Sequence, residues 1–199
     1  MSIYVTSDLH FNHDREFIWK ARGYNSVEDM NKAQIIKFNE TITDEDEVWI
    51  LGDSVMGQST DAIPLLKQLK GKIHIILGNH DTETREKIYK ELGWDVHVAA
   101  RIRYKKITFY LSHFPTICTN LESESLYMTT VNLFGHTHQT TNFYNGNPYM
   151  YHVGVDSHYG YPVLLDNIII DIKEEMLHCK ELIYPEGENN EFGGTANLL

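Results

Sequence analysis

Short apolar runs alternate along this chain with segments whose apolar residues recur every three to four positions, the pattern of α/β proteins. The strand-like runs are IYVTS from Ile3, VWILG from Val48, IHIILG from Ile73, ITFYLS from Ile107 and VNLFG from Val131. Between the early runs the spacing predicts helices. Ser26-Val-Glu-Asp29 has the form of a capping box with Asp in the acidic place, and Val27, Met30, Ile35 and Phe38 follow at helical spacing. Thr82 is placed to cap a helix carrying Ile88, Tyr89 and Leu92, which Gly93 would stop. Farther along, Asn145-Gly146 between TTNFY and NPYMYHV predicts a hairpin. Leu165, Ile169, Ile172, Met176, Cys179 and Ile183 then recur at steps of four and three, which predicts a packed helix. The last residues, PEGENNEFGGTANLL, offer little to bury, so a flexible tail over 185–199 is expected behind a single domain over 1–184.

With 199 residues, 42% of them hydrophobic, the chain supports a sizeable core, and no low-complexity stretch or repeat divides it. Its formal charge is −11, from 17 basic and 28 acidic residues. Such a surface repels long duplex nucleic acid and anionic membranes, so neither is expected as a partner, and a local cationic spot would need metal ions. The N-terminus MSIYVTSDLHF lacks a basic stretch leading into an apolar one. No run nears the roughly 20 apolar residues of a membrane span, and a cytoplasmic protein is expected. Cys118 and Cys179 match no zinc or redox spacing and are expected to be reduced thiols.

The informative residues stand where the strand-like runs stop. IYVTS is followed by Asp8-Leu-His10, VWILG by Asp53, IHIILG by Asn79-His80-Asp81, ITFYLS by His113 and VNLFG by His136-Thr-His138. Functional groups of open α/β sheets gather at the carboxyl ends of strands, so groups spread from residue 8 to residue 138 can converge on one site. Singly, each has a plain structural reading: Asp-x-His at a strand end is commonly a turn or cap, and Gly52-Asp53 an ordinary turn. His136-x-His138 says more, because side chains two apart share one face of an extended segment. Five such coincidences in the same structural position favour chemistry over turns. The set holds carboxylate, amide and imidazole donors and no thiolate, which suits Mn²⁺, Fe or Zn²⁺.

Taken in order, Asp8-Leu-His10, Gly52-Asp53, Gly78-Asn79-His80-Asp81, His113 and Gly135-His136-Thr-His138 resemble the signature of the calcineurin-like metallophosphoesterases. SDLHFNH, LSHFP and HVGVDSHYGYPV further resemble the compact bacterial and phage phosphoesterases of that superfamily. The resemblance implies an α/β fold, a four-layer αββα sandwich of two mixed β-sheets flanked by helices, with a dinuclear metal site at the strand ends. Carried over, Asp8, His10 and His138 hold one metal, Asn79, His113 and His136 the other, and Asp53 bridges them. The chemistry agrees: a bridge needs two acceptor oxygens, which Asp offers and His does not, while Asn79 adds a neutral oxygen. Two divalent ions, Mn²⁺ first with Fe or Zn²⁺ as alternatives, would stand about 3.5 to 4 Å apart, acidify a shared water and clamp a phosphoryl group for in-line attack.

His80 follows Asn79 and is the expected catalytic residue, stabilising charge or donating a proton to the leaving oxygen. Many members of the superfamily carry a second Asp three residues after the bridging one to orient this histidine. Here that position is Met56, so either another carboxylate such as Asp81 orients His80 or His80 acts alone. Gly78 is read as a tight turn needing freedom of φ. Asn12 and His13 are candidate substrate-binding residues, and His152 is expected near the site. Asp156 is placed near the site by the same likeness to the compact phosphoesterases but is read first as a structural cap, and His74 and His97 are read as packing or surface residues. In FPTICTNLESESLYMTT, Phe114 and Tyr127 are candidate base-stacking faces, unless the segment is a short helix covering the sheet. The function expected is hydrolysis of phosphodiesters of nucleotides or short oligonucleotides. The alternatives are a phosphomonoesterase or pyrophosphohydrolase acting on another small phosphate ester, and a non-catalytic metal-binding scaffold.

Overall fold

Parallel strands covered on both faces need apolar side chains in both directions, and the first half of the chain supplies them. In the computed structural model, residues 1–119 and 125–183 are described; the tail expected over 185–199 lies outside them. The elements are β1 (Ile3–Thr6), α1 (Glu16–Trp19), α2 (Val27–Thr41), β2 (Glu47–Ile50), α3 (Ser59–Leu66), β3 (Lys72–Ile76), α4 (Glu83–Glu91), β4 (Asp95–His97), β5 (Ala100–Tyr104), β6 (Ile107–Leu111), a 3-10 turn (Leu126–Met128), β7 (Thr130–Phe134), β8 (Phe143–Tyr144), β9 (Asn147–His152), β10 (Val163–Leu164) and α5 (Leu165–Ile183).

Among the described residues the strands form two five-stranded mixed sheets, ordered β10-β1-β2-β3-β4 and β5-β6-β7-β9-β8. In the first, β1 to β4 run parallel and β10 antiparallel. In the second, β6, β7 and β9 run parallel between antiparallel edges β5 and β8. Strand alternation sorts the core. Val48, Ile50, Ile73 and Ile75 pack outward with Ile35 and Phe38 of α2, Leu66 of α3 and Tyr89 of α4. Trp49, Leu51 and Ile76 point the other way, against Phe109, Leu111, Leu133 and Tyr151 of the second sheet and Ile168 and Ile172 of α5. The two sheets flanked by helices are the architecture that the resemblance implied. No helix among the described residues is long and apolar enough to cross a membrane.

The five strand-like runs became β1, β2, β3, β6 and β7, and the Asn145-Gly146 turn and the final helix lie where expected. Ser26 caps α2, its Oγ accepting the Asp29 N–H at 3.1 Å. Thr82 occupies the cap position of α4, but its side chain makes no capping bond. β5 was hidden because its hairpin to β6 turns on Lys105-Lys106, at φ 46° and 71°, in a place where glycine or asparagine is the usual signal. α3 was hidden by Pro64 inside it. His97 lies on parallel edge strand β4, and it and His74 pack beside Trp49 with ring centroids at 5.4 and 4.5 Å.

Asp46 ties the N-terminal ends of these strands together. Its carboxylate accepts Thr43 Oγ1–H at 2.7 Å, Thr43 N–H at 3.0 Å and Ser2 N–H at 2.8 Å, and its carbonyl accepts Lys72 N–H at 2.8 Å. The bonds from Thr43 and Ser2 lower its pKa from 3.8 to about 2. A depressed folded pKa means stability present above 3.8 and lost as the pH falls toward 2. Asp46→Asn should therefore melt below wild type at neutral pH, with the gap closing through that acid window. Melting curves across pH 2 to 7 whose gap stays constant would contradict the role of the ionised carboxylate.

Candidate metal centre

Beyond their last residues β1 and β2 keep bonding to one another. Leu51 N–H donates to Thr6 O at 2.8 Å, Asp8 N–H to Gly52 O at 3.1 Å, His10 N–H to Asp53 O at 3.0 Å and Phe11 N–H to Ser54 O at 2.9 Å. Along this path Asp8, His10 and Asp53 take left-handed turns, with φ of 59°, 53° and 52°. After β7, His136 and His138 do the same at 67° and 49°. A left-handed non-glycine residue costs on the order of 1 kcal/mol or more, so five together mark a place where backbone strain is spent on aiming side chains.

Those side chains converge. Asp8 is buried, and its Oδ2 accepts the His136 N–H at 2.9 Å. Its Oδ1 and His10 Nε2 are buried without a hydrogen-bond partner and stand 3.7 Å apart. His138 Nε2 lies 3.9 Å from the same Oδ1, completing one trio. Asn79 Oδ1 is 2.8 Å from both His113 Nε2 and His136 Nδ1, a second trio. Asp53 lies between them. Its Oδ1 accepts the His80 N–H at 2.9 Å, and its Oδ2 is 3.4 Å from His113 Nε2 and 3.9 Å from both His10 Nε2 and His80 Nε2. All seven expected ligands and His80 thus meet at one place.

The donors fit divalent cations. Unpaired buried polar atoms are costly unless something charged satisfies them. With metal–ligand bonds of about 2.0 to 2.3 Å, two ligand atoms on one ion stand roughly 3 to 4 Å apart, the spacing seen between Asp8 and His10. Asp8, His10 and His138, and separately Asp8, Asp53 and His113, each offer atoms close enough to share an ion. Burial works to raise the Asp8 and Asp53 pKa values, but the surrounding imidazoles outweigh it and hold both carboxyls below their usual range. Burial pulls the histidines the other way. It lowers His10, whereas for His113 and His138 the carboxylates of Asp53, Asp156 and Asp8 prevail and raise the pKa.

Several supports were outside the sequence reading or differ from it. Asp81 does not orient the His80 ring. Its Oδ2 accepts Gly78 N–H at 2.8 Å and Asp53 N–H at 2.9 Å, and its Oδ1 accepts Tyr89 O–H at 2.6 Å, so the carboxylate is consumed in fastening β2's end to β3's. Gly78 is not left-handed; a side chain there would run into the Asp53 carboxylate, and one at Gly135 into Ser7 and Asp8. Asp156 is no cap. It takes Arg22 Nε–H at 2.8 Å and a second Arg22 N–H at 3.0 Å, and it stands 2.7 Å from His138 Nδ1. Arg22 also donates to the backbone carbonyls of Asp8 and Leu9, and no sequence signal marked it.

The remaining candidates separate. His13 Nδ1 is 3.1 Å from His10 Nδ1, at the back of an expected ligand; burial, aided by the neighbouring His10 and His80, lowers its pKa to about 4. Asn12 is tied to Asn31 of α2, whose Nδ2–H donates to Asn12 Oδ1 at 2.8 Å and whose Oδ1 accepts the Asn12 backbone N–H at 3.1 Å. His152 is buried, with Nδ1 2.8 Å from Ser157 Oγ and Nε2 unpaired, and burial lowers its pKa to about 4. Phe114 borders the centre, its ring 4.6 Å from that of His136. Tyr127 sits in the 3-10 turn before β7, at the opposite end of that strand from His136, and lines a hollow with Lys173 and Met176.

The comparisons with known proteins bear on this geometry. The family model of the calcineurin-like phosphoesterase superfamily domain matches residues 1–157. The gene 66 protein of Mycobacterium phage D29 is 30% identical over 190 residues, covering 78% of this chain and 88% of that protein. An uncharacterized protein of Methanocaldococcus jannaschii is 41% identical over 81 residues, 40% of this chain, and the match spans 46% of that relative's length. Among solved structures, a protein of unknown function from Aquifex aeolicus superposes with a TM-score of 0.64 at 19% identity, covering 85% of this chain and 98% of that one, a likeness of fold.

Replacing Asp81 strips acceptors from two backbone N–H groups and from Tyr89. Each stranded donor costs about 1 to 3 kcal/mol, so Asp81→Ala should lose roughly 3 kcal/mol or more in denaturant unfolding, with Asp81→Asn recovering part of it. A loss below about 1 kcal/mol would show that the staple is dispensable.

Proposed function

Because the chain belongs to the calcineurin-like phosphoesterase superfamily, we propose that it hydrolyses phosphodiesters of nucleotides or short oligonucleotides with two divalent ions held at its strand ends. The observation that carries this reading is Asp53 Oδ2, which reaches His10 Nε2 at 3.9 Å and His113 Nε2 at 3.4 Å, so that one carboxylate serves both trios. In this assignment Asp8, His10 and His138 hold one ion, Asn79, His113 and His136 the other, and Asp53 both. Mn²⁺ is the metal of first choice, with Fe or Zn²⁺ behind it. When bound, such ions supply Lewis acidity to a phosphoryl group and lower the pKa of water.

The chain's own residues do the rest. His138 Nδ1–H points to Asp156 and His113 Nδ1–H to Leu51 O at 2.8 Å, so each presents Nε2 to the centre. The His80 backbone is tied to Asp53, while its side chain is 41% exposed. The ring is thus anchored at its base and free at its tip, placed to neutralise a phosphoryl oxygen or hand a proton to the leaving oxygen. A chain of net charge −11 with an open site favours small diesters over long nucleic acid.

The test compares a generic aryl phosphodiester with its monoester, using metal-stripped protein resupplied with Mn²⁺. Diester turnover that needs Mn²⁺ and falls about 100- to 10,000-fold in His80→Ala, with bound metal unchanged, is the expected result. Monoester turnover alone would move the assignment to a phosphatase, and silence on both with two metals bound would leave a scaffold. Separately, Asp156→Asn should weaken metal binding about 10- to 100-fold by removing the partner of His138 Nδ1, measured by metal titration. Unaltered affinity would remove Asp156 from the support of that ion.

A further inference from the structure

Beside His138 lies a cavity of about 560 Å³, within the size range of small-molecule sites, that the phosphoester chemistry alone does not use. Phe17, Tyr24 and Tyr159 contribute aromatic rings to its wall, and Gln34 and Lys37, one helical turn apart on α2, contribute polar groups. Gln34 is the unusual member. It is 1% exposed, and both its Nε2 and its Oε1 lack a hydrogen-bond partner. A buried amide with neither donors nor acceptor satisfied is rare in a folded chain and calls for a partner from outside it. Lys37 Nζ donates to Tyr159 O at 2.7 Å and Tyr24 O–H at 3.3 Å, and among the described residues no carboxylate pairs with it. The cavity therefore carries a net positive group in an acidic protein, immediately beside an expected metal ligand.

We propose that this cavity binds the nucleoside part of the substrate, with the base among the aromatic rings and its edge read by Gln34. The inference rests on the phosphodiesterase reading above and names what lies on the ester side of the phosphate. A side-chain amide offers one acceptor and two donors, which matches the mixed edge of a nucleobase. Aromatic rings stack on any base. An aliphatic ligand of the same volume would leave Gln34 unpaired, and a bare phosphate would leave the rings uncovered.

The experiment titrates the full-length, metal-stripped chain with AMP, GMP, CMP and UMP, and with ribose 5-phosphate as the probe without a base, followed by calorimetry or saturation-transfer NMR. At least one nucleotide should bind about tenfold tighter than ribose 5-phosphate, and Gln34→Leu and Ala21→Trp should each remove that margin. Ala21 is an exposed wall residue, so Ala21→Trp fills the cavity without touching the core and keeps the test decisive if Gln34→Leu fails to fold. Equal affinities, or a margin that survives Ala21→Trp, overturn the proposal. The aryl diester assay separates the two readings. Mn²⁺-dependent turnover without a base margin removes the cavity assignment and leaves the esterase, while a base margin without turnover removes the esterase and leaves a nucleotide-binding cavity.

Discussion

Two carboxylates buried at the ends of adjacent strands, Asp8 and Asp53, set the terms for the structure around them. A charge taken out of water must be answered by donors, opposite charge or a cation. Half of the answer is backbone: Asp8 Oδ2 takes the His136 N–H and Asp53 Oδ1 takes the His80 N–H. The other oxygen of each faces imidazoles at 3.4 to 3.9 Å, close enough to share ions. Strained backbone turns, glycines with no room for a Cβ and the converging ends of two sheets all follow from placing those two oxygens.

The two sheets divide the labour. The first supplies Asp8, His10, Asp53 and Asn79 from parallel strands whose order brings their carboxyl ends side by side. The second supplies His113, His136 and His138 from its central strands, so the expected centre straddles the sheet interface and depends on the apolar cluster between them. Asp81 fastens neighbours within the first sheet, while Arg22 and Asp156 lock the His138 loop to the carbonyls of Asp8 and Leu9. In the proposed assignment the acidity of the whole chain is less of an obstacle to phosphate, because bound ions and Lys37 would reverse the charge locally.

Relatives from a mycobacterial phage, an archaeon and a bacterium share stretches of this chain or its fold. Phe114 stands at the rim of the centre and a cavity opens behind His138, the two features to which the proposed function assigns substrate choice.

The sequence by itself determined the strands that end in ligand-type side chains, the Ser26 cap, the Asn145-Gly146 hairpin and the last helix. These are local: an apolar run, a capping oxygen or a left-handed dipeptide acts within a few residues of itself. The candidate centre was legible for the same reason, since each member stands immediately after its own strand. Tertiary structure alone decided what side chains do at long range. Arg22 meets Asp156 across 134 residues, and Asp81 serves Asp53 across 28 instead of the histidine next to it. It also hid a hairpin in Lys105-Lys106 and left Gln34 without a partner inside a cavity. A hydrogen bond depends on where two atoms finish in space, and spacing along a chain says nothing about that once the residues lie on different elements.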